Sequence, residues 1–315
     1  MTERDDPTGS ITVAPLPPTL AFLDIVTDWD PDVTMDAWRP QARVPAVFTP
    51  GQVSRTVVVA NQKGGAGKTT TTVELAAAWV AMGYTVRVWG ADPQKASLAG
   101  WILPIWPEGV PEERRRTLTH LFLVPGTTLA SVTYPTVIKG LSIVPSYADL
   151  GTVEKSEVIG GQMLIRQAIE TDRAAHPDTA PDIEIIDCGP RLGLLTMAAL
   201  GAADDVVVPF VASGLDFMGM QELHDTITTA RERINPKLRV AGVFLTSWEK
   251  DPLQRQLSDI VAADYPDAVI QPIRKGPAIR QAPFVNVPAR VHRPRSVAVR
   301  DFAQGAQLLI PAREA

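Results

Sequence analysis

TVVVANQKGGAGKTTTT, residues Thr56 to Thr72, changes character twice. Thr56, Val57, Val58 and Val59 are β-formers and predict a buried strand. Gly64, Gly65 and Gly67 then open a loop, and an Ala-rich segment from Thr69 onward predicts a helix. A strand, a glycine loop and a helix in that order read as a G-x-x-x-x-G-K-[ST] phosphate loop closed by Lys68-Thr69. The backbone N–H groups of Gly64, Gly65, Ala66, Gly67, Lys68, Thr69 and Thr70, aided by the helix N-terminus, are suited to cradle a polyphosphate. In that reading Lys68 reaches the β- and γ-phosphates and the Thr69 hydroxyl holds Mg²⁺.

A second lysine, Lys63, stands five residues before Lys68 in the run K-G-G-x-G-K-T-T. An ordinary phosphate loop has no requirement for charge at that point. Lys63 therefore reads as a residue that crosses an interface to phosphates held by another subunit, with a solvated loop lysine as the plain alternative.

Downstream, Thr70–Met82 carries apolar residues at helical spacing and Gly83 is placed to end that helix. Thr85–Trp89 (TVRVW) predicts a second strand that delivers GADPQKAS at its C-terminal end. In a parallel sheet ligands sit at that end, so Asp92 is expected beside the phosphates, polarising the attacking water near Mg²⁺. A helix N-cap is its simpler role. Ile183–Asp187 (IEIID) predicts a strand ending in an acid, followed by CGPRLGLLT. Asp187 is the expected Mg²⁺ carboxylate, and the Gly189-Pro190 turn, with Gly193 beyond it, is expected to move when the γ-phosphate leaves. Further strands are expected at 141–144, 206–208 and 240–245, with helices at 154–171 and 219–234. The Glu112–Arg116 cluster reads as a solvated helix face. This alternation predicts a doubly wound, mostly parallel α/β sheet.

A chain of 315 residues with 45% hydrophobic content can bury a large core. Its net charge of −5 means that any nucleic-acid contact must be a local patch. The charge is uneven: residues 1–50 carry eight acids and three bases, whereas residues 231–315 carry fourteen bases and eight acids. The single cysteine, Cys188, excludes an intrachain disulfide and points to a reducing cytoplasm. No apolar run reaches the ~20 residues of a membrane span. Residues 1–54, rich in Pro and Asp, are expected to form an arm on a single 55–315 domain.

NQKGGAGKTTTT, GADPQKAS, DCGPRLGLLT, LTSWEKD and IRQAP, in that order and spacing, resemble the ParA/MinD family of deviant Walker A ATPases, and within it the partition ATPases. The resemblance runs from about residue 55 to 310. It implies a P-loop fold and an ATP·Mg²⁺ sandwich dimer in which Lys63 contacts the other subunit's nucleotide. It also implies that Lys68 and Thr69 bind phosphate and metal, that Asp92 assists hydrolysis and counts with the metal set, and that Asp187 is the Walker B carboxylate. The adenine is expected near the end of the 240–245 strand and a Gln271-Pro272-Ile273 loop.

Partition ATPases bind DNA nonspecifically as the ATP dimer, and a ParB-like centromere-binding adaptor stimulates hydrolysis. The basic C-terminal third suits that role, with Lys250, Arg255, Arg274, Lys275 and Arg280 as candidate phosphate contacts. The resemblance implies a cytoplasmic, nucleoid-associated protein. Two relatives of this role share the switch: an ATPase that positions a protein cargo, and a MinD-like membrane ATPase. The latter would need an amphipathic helix after the domain, where only PAREA follows the expected last helix, 297–310. A binding module without turnover is a third alternative. Three departures stand out. Gly90 replaces the first acid of Asp-x-Asp-Pro-Gln, Gly189 stands where proline is usual, and the RKGPAIRQAP stretch from Arg274 to Pro283 matches loosely. Gly90-Ala91-Asp92-Pro93 is also similar to the Gly-Cys-Asp-Pro of the nitrogenase iron protein, but one cysteine cannot supply that cluster.

Overall fold

In the computed structural model, residues 54–93, 97–211, 214–249 and 252–310 are described. The expected arm, apart from Ser54, and Lys250 lie outside them. The chain begins with β1 (Arg55–Val59), α1 (Lys68–Ala81) and β2 (Val86–Ala91), followed by α2 (Ser97–Trp101). Three short pieces, α3 (Leu118–Leu123), α4 (Leu129–Val132) and β3 (Tyr134–Pro135), lead into β4 (Leu141–Val144). Then come α5 (Gly161–Ala175), β5 (Ile183–Cys188), α6 (Leu194–Ala202), β6 (Asp205–Val211), α7 (Gly214–Arg233) and β7 (Arg239–Trp248). The last elements are α8 (Pro252–Asp264), β8 (Val269–Arg274), α9 (Pro277–Gln281), α10 (Ala289–His292) and α11 (Val297–Leu309).

The eight strands form one sheet in the order β3-β4-β2-β5-β1-β6-β7-β8. Every pairing is parallel except β3 with β4. Parallel neighbours need crossovers, so helices cover both faces and the central strands are apolar on both sides. β1 shows this in alternation: Val58 packs in one core layer with α5, α6 and α7 residues, while Val57 and Val59 pack in the other with α1 and α11. The second layer is tight. A Cβ at Gly305 of α11 would lie 2.5 Å from Phe244 Cζ on β7, so only glycine allows that approach. Trp79 of α1 donates its indole N–H to the Ala306 carbonyl, 3.1 Å away.

Register does the positioning. Val59, the last residue of β1, pairs with Asp187, and Ala91, the last of β2, pairs with Cys188. The phosphate loop, Asp92 and Asp187 therefore leave the sheet side by side at its C-terminal edge, where doubly wound folds bind ligands.

One polar network is built into the interior. Arg87 on β2 lies across from Glu184 on β5. Its guanidinium gives Nε to Glu184 Oε2 at 3.0 Å and an Nη2 hydrogen to Oε1 at 2.6 Å, and it also reaches Asp172 of α5 at 2.8 Å. Trp89 Nε1 donates to Glu184 Oε2 at 2.7 Å. Glu184 is fully buried and Arg87 is 4% exposed, so each charge depends on the other for what water no longer supplies.

Three local expectations are corrected. Residues 271–273 are not a loop: they are the interior of β8. Pro272 is accommodated because β8 is the edge strand, where a missing N–H breaks no ladder. The expected 154–171 helix is two pieces, a 3-10 segment over Ala148–Lys155 and α5 from Gly161, because Gly160 turns the chain at φ 68°. The Glu112–Arg116 cluster is not a helix face but one 3-10 turn over Glu112–Arg114, and Arg115 stacks its guanidinium 4.8 Å from the Trp106 ring centre.

Candidate phosphate-binding site

The loop between β1 and α1 turns on two glycines in the left-handed region, Gly65 at φ 80° and Gly67 at φ 93°. The general six-residue pattern would place its first glycine at 62, where this chain has Gln62, so Gly64, Gly65 and Gly67 do the turning. The loop is pinned from two strands. Asn61 Nδ2 donates to the Pro209 carbonyl of β6 at 2.6 Å while its Oδ1 accepts the Lys63 amide at 2.9 Å. Thr246 of β7 donates its hydroxyl to the Ala66 carbonyl at 3.0 Å, and a Cβ on Gly67 would come within 3.3 Å of the Thr246 methyl. Neither Asn61 nor Thr246 stands out as a site residue in the sequence. Thr246 falls within LTSWEKD, but nothing local says that it reaches back to the loop.

Lys68 opens α1 with Nζ donating to the Lys63 carbonyl at 3.0 Å, so the two lysines of the motif meet through the loop backbone. Burial lowers the Lys68 pKa, and the Asp187 and Asp92 carboxylates oppose that shift. Lys63 is exposed, as are Gly64 and Gly65; Ala66 is buried, and Gly67, Thr69 and Thr70 are half-buried.

Asp187 is 1% exposed. Its Oδ2 accepts the Thr69 hydroxyl at 2.7 Å, and its Oδ1 is buried with no hydrogen-bond partner. Burial pushes its pKa up to about 7; the Thr69 bond and the Lys68 charge pull down, and Asp92 pushes up. A carboxylate with one oxygen on a threonine hydroxyl and one orphaned oxygen fits a divalent cation placed beside Thr69. Among the described residues no cluster of three or more His, Cys, Asp or Glu is placed to hold an ion. A cation here thus needs further oxygen ligands, which phosphates supply, the habit of Mg²⁺.

Asp92 follows β2 and is half-buried. A Cβ on Gly189 would lie 3.0 Å from Asp92 Oδ1 and 3.0 Å from Pro93 Cδ. Glycine at 189, where proline is usual in the pattern, lets the turn after Asp187 touch Asp92. Gly90 has a like reason: a Cβ there would meet Ser146 Oγ at 2.9 Å, so the space of the missing acid is filled from the neighbouring strand's loop.

The remaining candidates scatter. Arg255 on α8 and Arg280 on α9 are exposed. Lys275 is exposed and paired with Glu249 at 3.0 Å. Arg274, expected on an open basic surface, is instead held by the buried Asp301 of α11, with Nε–Oδ2 at 2.9 Å and Nη2–Oδ1 at 2.6 Å. Its charge is neutralised within the fold, and the sequence hides this because Asp301 lies 27 residues away. Pro272 and Ile273 are buried in β8, next to its C-terminal end.

A glycine loop at the end of the central strand, a buried lysine, and two strand-terminal carboxylates around it define a P-loop nucleotide-binding protein. Comparison with known proteins narrows the class. A family model described as an AAA domain matches residues 54–240. The chain is 33% identical over 242 residues to the chromosome partitioning protein ParA of Caulobacter vibrioides, covering 76% of this chain and 87% of that one. It is 31% identical over 246 residues to the chromosome-partitioning ATPase Soj of Thermus thermophilus, covering 77% and 90%. Among solved structures, cobyrinic acid a,c-diamide synthase from Mycobacterium smegmatis with bound ADP and magnesium is similar at TM-score 0.64 and 25% identity, covering 81% of this chain and 93% of that one. An ATP complex of McdA from Cyanothece shares the fold, with TM-score 0.70 at 18% identity and coverage of 84% and 99%. The chain belongs to the ParA/MinD family of P-loop ATPases.

Proposed function

We propose that this protein is a partition ATPase that dimerises on ATP, grips DNA without sequence preference, and releases it when an adaptor of the ParB type stimulates hydrolysis. The observation that carries this reading is Lys63: an exposed lysine on the outer lip of a phosphate loop whose own phosphate lysine, Lys68, is already in place behind it. A second cation at that exposed position suits phosphates presented by a second copy.

In this reading Gly64–Thr70 cradle the phosphates and Lys68 leaves the Lys63 carbonyl to meet the β- and γ-oxygens. The Thr69 hydroxyl and the Asp187 carboxylate, with phosphate oxygens, would hold Mg²⁺, which would supply charge neutralisation at the scissile bond. Asp92, next to Gly189, orients the attacking water. The base rests near the C-terminal ends of β7 and β8, beside Pro272 and Ile273. DNA phosphates are met by Arg255, Lys275, Arg280 and Lys250, with Arg274 left to its partner Asp301. Residues 1–54 act as an arm on the 55–315 ATPase domain. The protein works in the cytoplasm on the nucleoid; among the described residues no helix is long and apolar enough to cross a membrane.

The test is Asp92→Ala. It keeps ATP affinity within about threefold while phosphate release, measured with DNA and adaptor present, falls by on the order of 100-fold. A wild-type chain with no turnover above background, or an Asp92→Ala chain as fast as wild type, overturns the reading.

A further inference from the structure

The 3-10 segment Ala148–Lys155 touches the residue after Asp92 and the start of the helix that follows β5. Gly151 sits against Pro93, where a Cβ would lie 3.9 Å from Pro93 Cβ, next to Asp92. Three residues on, the Glu154 carboxylate accepts the Leu194 amide at 2.9 Å through Oε2 and the Leu195 amide at 3.1 Å through Oε1. These are the first free N–H groups of α6, the helix that the Asp187–Gly193 turn leads into. The carboxylate also lies where a side chain at 193 would begin. Gly193 has φ −100°, a value open to any residue, yet a Cβ there would lie 2.0 Å from Glu154 Oε2. A side chain at 193 would therefore push the Glu154 carboxylate off the two amides without straining the backbone. Within the turn, the Thr196 hydroxyl bonds the Arg191 carbonyl at 2.6 Å and the Met197 amide bonds the Gly193 carbonyl at 3.0 Å. Glu154 thus holds the α6 end of the turn, while at its other end the Gly189 amide bonds the Ala91 carbonyl at 3.4 Å and Gly189 packs against Asp92.

We propose that Glu154 is a positioning residue for hydrolysis: by clamping the start of α6 it fixes the turn that follows Asp187 and sets Gly189 against Asp92. The inference rests on the ATPase reading above, but it concerns a residue that touches neither nucleotide nor metal. Glu154 serves the transition state through geometry, so its loss is felt in kcat and not in ATP binding.

A double-mutant cycle tests it. Glu154→Ala and Gly193→Ala each lower kcat about tenfold with the KM for ATP within about twofold, and the double variant is no slower than Glu154→Ala alone, because the steric conflict needs the carboxylate. Glu154→Gln does not rescue kcat, since its amide would face an N–H donor. In that variant, bound to ADP, exchange of the Leu194 and Leu195 amides rises while α1 amides are unchanged. Additive losses, a wild-type kcat in Glu154→Ala, a loss confined to KM, or unchanged exchange in Glu154→Gln each overturn the proposal. Failure of all four variants to fold does so too, because it would make Glu154 a residue of stability alone. A wild-type chain without ATP turnover sinks only the ATPase reading; the clamp is then judged by the exchange result.

Discussion

Lys68→Ala loses ATP binding by about 100-fold or more, a change of roughly 3 kcal/mol, in an equilibrium titration at constant Mg²⁺. The size follows from where the ammonium sits. At 7% exposure it has given up most of its water, and what replaces that water is the Lys63 carbonyl and the through-space pull of Asp187 and Asp92. A triphosphate offers a stronger set of acceptors at the same place, so the bound state gains charge-assisted bonds without further desolvation. Removing the amine also leaves Asp187 without its nearest opposing charge while the γ-phosphate brings more negative charge. An Ala variant that binds ATP within about threefold of wild type would contradict the assignment of the loop.

Glu184→Ala lowers the free energy of unfolding by about 3 kcal/mol or more, read from the midpoint of urea denaturation. Removing that carboxylate leaves the Arg87 guanidinium buried with only Asp172 as a counter-charge, and it strips the Trp89 indole of its acceptor. The triple variant Arg87→Leu/Asp172→Leu/Glu184→Leu is less damaging than Glu184→Ala, because it leaves no charge of the buried network without its partner. Equal stability of Glu184→Ala and wild type would show that Asp172 alone satisfies Arg87.

How much of the molecule is readable from its sequence depends on whether the signal is local. The strands at 141–144 and 183–187, and the loop between 59 and 68, are written in short runs of β-branched residues and glycine, and they lie where those runs place them. β8 reads as a loop because Pro272 is a strand breaker unless the strand is an edge, and edge status is a property of the whole sheet. The split of the 154–171 segment is signalled by Gly160-Gly161 but masked by the apolar spacing on either side. The site divides the same way. The candidates Lys63, Lys68 and Thr69 stand out in the glycine loop, and Asp92 and Asp187 at strand ends. Asn61, Thr246 and Glu154 do not, because each acts on backbone that returns from far along the chain: Glu154 on amides 40 and 41 residues away, Thr246 on a carbonyl 180 residues away. Charged residues mislead for the complementary reason. A basic stretch reads as open surface until the fold supplies its acids, as the buried Asp301 does for Arg274.

The central claim is that one copy's Lys63 completes the other copy's nucleotide site. Sedimentation velocity with a nonhydrolysable ATP analogue and Mg²⁺ measures it most directly. The account predicts that wild type sediments as a dimer with the analogue and as a monomer with ADP, while Lys63→Ala binds the analogue yet stays monomeric. Wild type that stays monomeric when saturated with the analogue, or a Lys63→Ala chain that dimerises like wild type, would contradict it.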